Sequence, residues 1–343
     1  MRNKASIGLA VVMAVLVMTL PSNAEEYIDK MAQSGMPFLT IDPTSRTAAM
    51  GSASVCVTQD ASAMFSNPAG IAQFTGADAV FTMNNWIGDI KQYSGAAAYN
   101  FGQWGTFGAS FVWMDYGTFT ETQPYSGYDL GQRDIGYTVV GDFTVQEYAL
   151  GISYARKISS AFSFGAQIKY AYEDLYQSMI YDYRLGQNVL SNNRVQMYAF
   201  DLGTLYYTGW KDLRFGMSIR NFSRQGKFVD QRFELPLTMT MGLAMDVMSV
   251  FMPESKQHLT MAVDWLHPRN WRERVHVGAE YTLFDMLCVR AGYKFNYSEE
   301  GLTAGIGVTK AMGDYGVRVD YSYGAFGDFF GSVQRIGIGI SMK

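Results

Sequence analysis

Apolar residues recur at every second position along most of the chain from Ala77 onward, and this period constrains the fold more than any other feature. Near the end of the chain, for example, Ile336, Ile338 and Ile340 are separated by single glycines. Because successive side chains of a β-strand point to opposite faces, each such stretch predicts a strand with one apolar face and one polar or small face. No run of 18 apolar residues follows position 20, which excludes a bundle of membrane helices.

Three features favour a membrane barrel over the alternative, a soluble protein of two packed sheets. The strands are about 10 residues long, which is the length that a tilted strand needs to cross a bilayer. Their apolar faces begin and end in Tyr, Trp and Phe, as interfacial girdles do, and aromatic residues make up 15% of the chain. Their polar faces carry charges in mid-strand, which would cost several kcal/mol each in a dry core unless paired. A wet or plugged lumen removes that cost.

The number and spacing of the strands predict a closed barrel. We count fourteen alternating segments between residues 76 and 342, an even number, as expected of a single-chain bacterial barrel. Short connections alternate with long ones at about 117–143, 176–194 and 223–234. We therefore expect an all-β fold, a 14-stranded antiparallel transmembrane β-barrel over residues 76–343, surrounded by outer-membrane lipid. Short turns and both chain ends are expected on the periplasmic side.

Residues 1–24 have the pattern of an export signal. Arg2 and Lys4 precede an apolar stretch, and Ser22-Asn23-Ala24 matches a cleavage site with small residues at its first and last positions. The rest of the chain has more acidic than basic residues and no basic cluster, which argues against a nucleic-acid partner. The signal predicts export, and the barrel predicts the bacterial outer membrane.

Residues 25–75 lack the period of two and predict a helical or irregular segment. Asp60 is expected to cap a short turn, and Asn67 is expected to cap the next one, with Pro68 at its first position. The segment is rich in small residues. We expect it to form a compact plug, the hatch, in the mouth of the barrel.

Four motifs of this segment resemble a known family. They are Phe38-Leu39-Thr40-Ile41, Arg46 to Met50-Gly51, Asp60-Ala61-Ser62-Ala63 and Asn67-Pro68-Ala69-Gly70. Together they are similar to the amino-terminal signature of the PorV/PorQ family, a branch of the FadL-like outer-membrane proteins. The resemblance implies a hatch that folds back into the lumen.

The resemblance also implies one of two activities. The first, which we favour, is service in type IX secretion, where exported proteins are received and handed over by their carboxy-terminal domains. The second is FadL-like transport of hydrophobic small molecules across the outer membrane. A structural, porin-type barrel is a third reading. A transporter should contain a continuous apolar pocket that reaches a gap in the wall, whereas a secretion partner should have a plugged lumen and exposed binding loops such as 117–143.

Charged residues on the polar strand faces are expected to point into the lumen. Both signs are present, so we expect the charges to pair, stiffen the wall and pin the hatch; an ion-lined conduit would need one sign to dominate a constriction. The central members of this set are Lys169, Asp201, Arg220, Asp264, Glu280, Arg290, Arg318 and Asp320.

The sequence predicts neither an enzyme nor a cofactor site. Of three scattered histidines only His258 and His276 are expected to face inward, and a metal would need further ligands in a set geometry. Cys56 in the hatch and Cys288 on the inward face of a strand leave two alternatives open, a disulfide that locks the hatch to the wall or two free thiols.

Overall fold

The computed structural model describes residues 34–124, 137–182, 185–228, 231–252 and 254–343. The predicted signal, residues 1–24, and the first part of the predicted hatch, residues 25–33, lie outside the described residues.

The strands and helices have the following bounds. The first nine strands are β1 (Ala77–Asn85), β2 (Lys91–Asn100), β3 (Thr106–Asp115), β4 (Phe119–Pro124), β5 (Tyr137–Phe143), β6 (Gln146–Lys157), β7 (Phe162–Asp182), β8 (Gln187–Tyr207) and β9 (Arg214–Ser223). The others are β10 (Gly226–Phe228), β11 (Gln231–Phe233), β12 (Thr238–Asp246), β13 (Gln257–Pro268), β14 (Arg274–Leu283), β15 (Leu287–Phe295), β16 (Glu300–Met312), β17 (Tyr315–Phe326) and β18 (Ser332–Met342). Three short helices are α1 (Ser45–Ala49), α2 (Met248–Phe251) and α3 (Gly327–Phe330). Single 3-10 turns cover Pro37–Thr40, Ala61–Phe65, Pro68–Ala72, Ile87–Asp89 and Gly102–Trp104.

Fourteen of these strands form one closed antiparallel barrel, which confirms the predicted fold. The order around the barrel is β1-β18-β17-β16-β15-β14-β13-β12-β9-β8-β7-β6-β3-β2. The ladder closes between the first and last strands, where Ala77 pairs with Met342 and Asn85 with Gln334. Closure matters because a lipid environment offers no partner to the backbone groups of an open sheet edge. In the described part of the chain, no helix has the length and apolar character needed to cross a membrane.

The period of two separates the two faces of the wall. On β18 the side chains of Ile336, Ile338 and Ile340 are exposed on the outside, whereas Arg335 on the alternate face is buried inside. Small residues on the inner face leave room for the segment that fills the lumen.

The two ends of the barrel differ in the length of their connections. We call the end with the turns after β2, β6 and β8 the turn end, and the opposite end the hairpin end. At the hairpin end β4 pairs with β5 and β10 pairs with β11 in two small sheets. There β7 and β8 remain paired as far as Asp182 and Gln187, although the β6 ladder stops at Asp174. The long connections expected from the sequence thus contain strands, because each can form a hairpin within itself.

The hatch runs through the lumen from the hairpin end to the turn end. Ser34 forms a bridge with Glu234, and Asn270 donates to its hydroxyl, both at the hairpin end. At the other extreme, Asn100 donates a hydrogen bond to the carbonyl of Phe74 beside the turn after β2. Ser34, the first described residue, thus lies at the hairpin end, and Met342 lies at the turn end; the expected position of the start of the mature chain lies outside the described residues.

Candidate functional site: the contacts between hatch and wall

Asn67 connects two parts of the hatch, the segment of Val55 and the turn that begins at Pro68, to the barrel wall. Its side chain is fully buried and accepts a hydrogen bond from Ala69 N, which caps the turn that Pro68 begins. Its Nδ2 donates to the carbonyl of Val55, in the preceding part of the hatch, and to that of Thr204 in β8, both at 2.9 Å. Both amide hydrogens and the amide oxygen are thus satisfied, which a buried polar group requires.

Glycines in the wall make room for this motif. A Cβ on Gly203 would lie 2.0 Å from Asn67 Oδ1, and one on Gly165 would lie 2.4 Å from Ala69 N. Gly70 is itself constrained, because its Cβ would lie 2.3 Å from the carbonyl oxygen of Thr58. The small residues of the predicted Asn-Pro-Ala-Gly motif are therefore needed for close packing against β7, β8 and the hatch itself.

Asp60 caps the 3-10 turn Ala61–Phe65 of the hatch and also belongs to an ion cluster. Its carboxylate accepts from Ser62 N at 2.9 Å. Arg46 and Arg318 approach it at 3.6 and 3.4 Å, and Arg318 also makes two hydrogen bonds to Asp78 on β1, at 2.8 and 2.9 Å. Arg46 and Arg318 thus connect the hatch, β1 and β17, which are distant in the sequence.

Arg46 extends this cluster to the far side of the lumen. It donates two hydrogen bonds to Glu280, which also accepts from Arg290, and Arg290 in turn pairs with Asp320 at 2.6 Å. All of these groups lie in the half of the barrel near the turn end. The cluster alternates in sign, so each buried charge has an opposite charge beside it.

The hatch members of the cluster have shifted pKa values. The carboxylate of Glu280 raises the pKa of Arg46 above its ordinary value, although burial opposes this effect. Burial by itself would raise the pKa of Asp60, but Arg318 and Arg46 outweigh it and hold that pKa below its ordinary value. Both groups therefore stay charged at neutral pH.

The remaining predicted charges lie nearer the hairpin end. Asp264 accepts hydrogen bonds from Ser54 N at 2.7 Å and Val55 N at 3.0 Å, so a wall carboxylate holds the hatch backbone. Arg220 donates to the carbonyl of Phe65 at 2.6 Å. Lys169 pairs with Asp201 within the wall at 2.8 Å.

The eight charges thus fall into two groups. Four contact the hatch directly, and four pair within the wall. The first group is Arg220, Asp264, Glu280 and Arg318, and the second is Lys169, Asp201, Arg290 and Asp320.

Two members of the ion cluster were missed from the sequence. Asp78 was not assigned to the lumen, although it alternates with Ala77 and Ala79 and so falls on the inner face of β1. Arg46 lies in the irregular hatch, where no periodicity gives its direction. The inward direction of Asp78 could have been predicted from the strand period, whereas the position of Arg46 could be seen only once the fold of the hatch was known.

Of the two alternatives for the cysteines, the structure has the two free thiols. Cys56 Sγ donates to the carbonyl of Gly242 at 3.1 Å, and Cys288 Sγ lies 3.5 Å from Thr282 Oγ1. The hatch places Cys56 against β12 while Cys288 faces the partner strand β14, so each thiol has a different neighbour. Burial and the nearby Asp264 raise the pKa of the Cys56 thiol well above its ordinary value.

Cavities with several charged groups in their linings remain between hatch and wall. The upper cavity, towards the hairpin end, has a volume of about 130 Å³ and contains Arg274, His276 and Asp264 in its lining. The lower cavity, at the turn end, measures about 440 Å³ and is lined by four arginines and four carboxylates among other residues. Neither resembles the continuous apolar pocket expected of a hydrophobic transporter. Within the described residues no group of three or more His, Cys, Asp or Glu is arranged to hold a metal ion.

An apolar patch projects from the hairpin end. The ring of Phe143 stacks on Phe119 at 5.4 Å and on Tyr176 at 4.8 Å, which joins the β4/β5 hairpin to β7. Val139 of β5 and Met179 of β7 are also exposed at this end of the barrel. We define the hairpin surface as Phe119, Val139, Val140, Phe143, Tyr176 and Met179. Residues 125–136, which belong to the loop predicted to bind partners, lie outside the described residues.

Solved structures share the fold of this chain at low sequence identity. The toluene transporter TbuX of Ralstonia pickettii is 15% identical with a TM-score of 0.54, and the match covers 88% of this chain and 97% of that one. The CymD monoaromatic hydrocarbon channel is 15% identical with a TM-score of 0.55, covering 88% and 96%. A Pseudomonas aeruginosa FadL homologue is 14% identical with a TM-score of 0.52, covering 87% and 98%. At these identities the likeness establishes the fold alone.

Comparisons of the sequence give a narrower result. No curated protein matches the chain. The sequence profile of one family, described as type IX secretion system membrane protein PorP/SprF, matches residues 132–334, which is more than half of the chain.

Proposed function

Because the chain belongs to the PorP/SprF family of type IX secretion system membrane proteins, we propose that it is an outer-membrane barrel that binds exported proteins or other secretion components. In this proposal the barrel holds a binding surface in the membrane and does not conduct. The observation that carries it is the hatch, which occupies the lumen from one end to the other and is held by wall charges on several sides.

The contacts of the hatch argue against an open passage. Opening the lumen would separate Arg46 from Glu280 and Ser54 from Asp264, and would leave buried charges without partners. The hatch–wall ion pairs Arg46–Glu280 and Asp60–Arg318 would have to break together, and a hydrogen bond to a charged group contributes about 1.5–3 kcal/mol. A closed lumen leaves the two ends of the barrel as the surfaces on which partners bind.

We assign the partner to the hairpin surface. Its exposed apolar and aromatic side chains stand on hairpins that a rigid barrel supports, and interfaces are enriched in such residues. In the orientation that we expect, the hairpin end faces outward and the turn end faces the periplasm. The resemblance of the hatch motifs to the PorV/PorQ family suggests the finer role, the handing over of exported proteins by their carboxy-terminal domains.

A FadL-like carrier of hydrophobic molecules is the second candidate. The shared fold with TbuX and CymD supports it. The charged lining of the two cavities described above counts against it. The two candidates differ in whether the hatch must move.

A reversible covalent lock on the hatch distinguishes them. A Cβ on Gly337 of β18 would lie 3.5 Å from Ser45 Cβ of α1, which is within the range that a disulfide spans. The hydroxyl of Ser45 is buried without a hydrogen-bond partner, so its replacement breaks no bond. The variant Ser45→Cys/Gly337→Cys is made with Cys56→Ala and Cys288→Ala, so that no other thiol interferes.

We expect the locked protein to support secretion as well as the reduced protein does. Secretion is measured in a deletion strain that carries the variant, with Ser45→Cys alone in the same background as the control. If oxidation stops secretion by the double variant but not by the control, hatch movement is required and our proposal is wrong.

A further inference from the structure

Three arginines face the upper cavity without a carboxylate partner among the described residues. They are Arg220, Arg274 and Arg335. Arg335 is only 3% exposed. Its Nε donates a hydrogen bond to the backbone carbonyl of Asp42 at 3.1 Å, and its guanidinium lies 5.7 Å from the ring centre of Trp86. The carboxylates of Asp42 and Glu300 act on Arg335 only from beyond ion-pair distance, so a further negative charge in the cavity would stabilise its buried guanidinium.

Arg274 is held in a position from which it can bind an anion. Its guanidinium lies 3.9 Å from the ring centre of Tyr297 and 5.0 Å from that of Trp271. The hydroxyl of Tyr297 is in turn 2.8 Å from His276 Nε2, which fixes the ring. The Nε of Arg274 is buried and has no hydrogen-bond partner. Stacking thus orients the guanidinium plane and leaves the Nε–H without an acceptor, so that this group can donate to an oxyanion.

Two buried hydroxyls add further unused donors to the lining. The Oγ atoms of Ser52 and Ser66 have no partner in the structure, and both residues line the upper cavity. Buried polar groups are nearly always hydrogen-bonded, so unpaired ones around a cavity indicate a polar occupant. The hydroxyls can donate to an oxyanion, as the arginines can.

The charge and size of the cavity select the class of anion. Its lining has four cationic side chains, the three arginines and Lys294, against the carboxylates of Asp42, Asp264 and Glu300, with His276 counted as neutral. The excess of one positive charge fits a monoanion better than a doubly charged phosphate. A volume of about 130 Å³ admits a carboxylate with a few attached atoms.

We propose that the upper cavity is a binding site for a single carboxylate group, held by Arg274 and Arg335. Thr40 and Asn270 are also part of the lining, on the side towards the hairpin end, and a ligand would enter there. The carboxylate belongs either to a small free acid or to the carboxy terminus of a peptide. This inference is independent of the proposed function, because a closed barrel of either candidate class would contain the same cavity.

Calorimetric titration of the purified full-length barrel in detergent tests the proposal, in a chloride buffer without other carboxylates. The probes are acetate and its neutral analogue acetamide, and triglycine with a free carboxy terminus and its amide. The variants are Arg274→Gln and Arg335→Gln; the control is Arg194→Gln, an exposed arginine paired with Asp174 outside the lumen.

We expect at least one carboxylate probe to bind, and neither neutral analogue to do so. Loss of a hydrogen bond to a charged group should weaken binding at least tenfold in each cavity variant and leave Arg194→Gln unchanged. Binding of acetate identifies a small acid as a sufficient ligand, whereas binding of triglycine alone identifies a peptide terminus; both support the site.

The proposal is overturned if no carboxylate probe binds, if the neutral analogues bind equally, or if both cavity variants keep the affinity of the unaltered protein. If either variant fails to fold, the effect of the probes on the thermal unfolding midpoint of the unaltered protein still tests whether the site binds a carboxylate. Acetate or triglycine must raise that midpoint and their neutral analogues must not, because a ligand that binds only the folded state stabilises it.

Discussion

Arg46 of the hatch and Glu280 of the wall form a two-pronged ion pair inside the barrel. Arg46 Nε lies 3.0 Å from Glu280 Oε2, and Nη2 lies 2.7 Å from Oε1. The two residues are 234 positions apart in the chain. This geometry gives the hatch a fixed position against β14, because a guanidinium fork binds both oxygens of a carboxylate only in one plane.

Removing either partner of this pair should destabilise the barrel. We expect Arg46→Gln and Glu280→Gln each to lower the free energy of unfolding by about 1.5–3 kcal/mol, because each removes hydrogen bonds between charged groups while Glu280 keeps Arg290 and Arg46 keeps Asp60. The double variant should lose less than the sum, because the residues interact directly. Urea unfolding in detergent measures all three. Arg194→Gln, which breaks an exposed pair, should cost less than about 1 kcal/mol; an equal loss there would refute the special role of the buried pair.

The contact between Gly203 and Asn67 predicts a steric effect. In Gly203→Ala the new Cβ would lie 2.0 Å from Asn67 Oδ1, so the cap must move or the strand must bend. We expect a loss of about 1–3 kcal/mol in unfolding free energy, typical of overpacking. Gly301→Ala is the matched control, because its nearest contact would be an ordinary 3.5 Å from the Tyr293 ring. Similar urea midpoints for the two variants would show that the wall does not hold the motif this closely.

Asp60 predicts a dependence of stability on pH. Its folded pKa lies below the ordinary value, so the carboxylate stabilises the fold fully above the unfolded pKa, about 3.9, and this contribution is lost as the pH falls through the folded pKa. Asp60→Asn should therefore be less stable than the unaltered protein at pH 7. The difference in urea midpoint should shrink as the pH falls below about 4. A difference that stays constant from pH 7 to pH 3 would contradict the assigned shift.

The two free thiols should react at different rates. Cys56 is fully buried in the hatch, whereas Cys288 is partly exposed and lines the lower cavity. We expect a maleimide to label one thiol of the folded protein quickly, at Cys288, and to label the second only after unfolding. Mass spectrometry of the labelled peptides identifies the site. Failure to label either thiol in the unfolded, unreduced protein would reveal the disulfide that the structure excludes.

The hairpin surface predicts a loss of partner binding without a loss of fold. Val139→Asp places a charge on an exposed apolar position, and we expect it to reduce the capture of exported proteins or secretion components at least fivefold. Thr138→Asp adds the same charge at the neighbouring exposed position and serves as the control. Crosslinking in intact cells, followed by identification of the captured proteins, provides the measurement. Equal capture of partners by the Val139→Asp and Thr138→Asp variants would show that partners bind at a different surface.

The sequence patterns predicted the strands of the barrel wall better than they predicted the contacts of the hatch inside the lumen. All fourteen strands follow from the period of two, and the caps at Asp60 and Asn67 follow from their positions before short turns. The pattern failed in the connections: residues expected to form long loops pair as β4/β5 and as the extension of β7/β8. Those hairpins lack the long uninterrupted alternation that a buried face imposes, so their sequences resemble loops.

What the sequence determined by itself was the set of strands and the face on which each strand side chain lies, because both depend on residues adjacent in the chain; closure followed from the number and length of those strands. Only the tertiary structure decided which groups meet across the lumen: Arg46 with Glu280, Asn67 above Gly203, and Cys56 apart from Cys288. The hatch has no regular period, so nothing local sets the direction of its side chains. Their partners are selected by shape and charge at distances of a hundred residues or more along the chain, where adjacent positions carry no information.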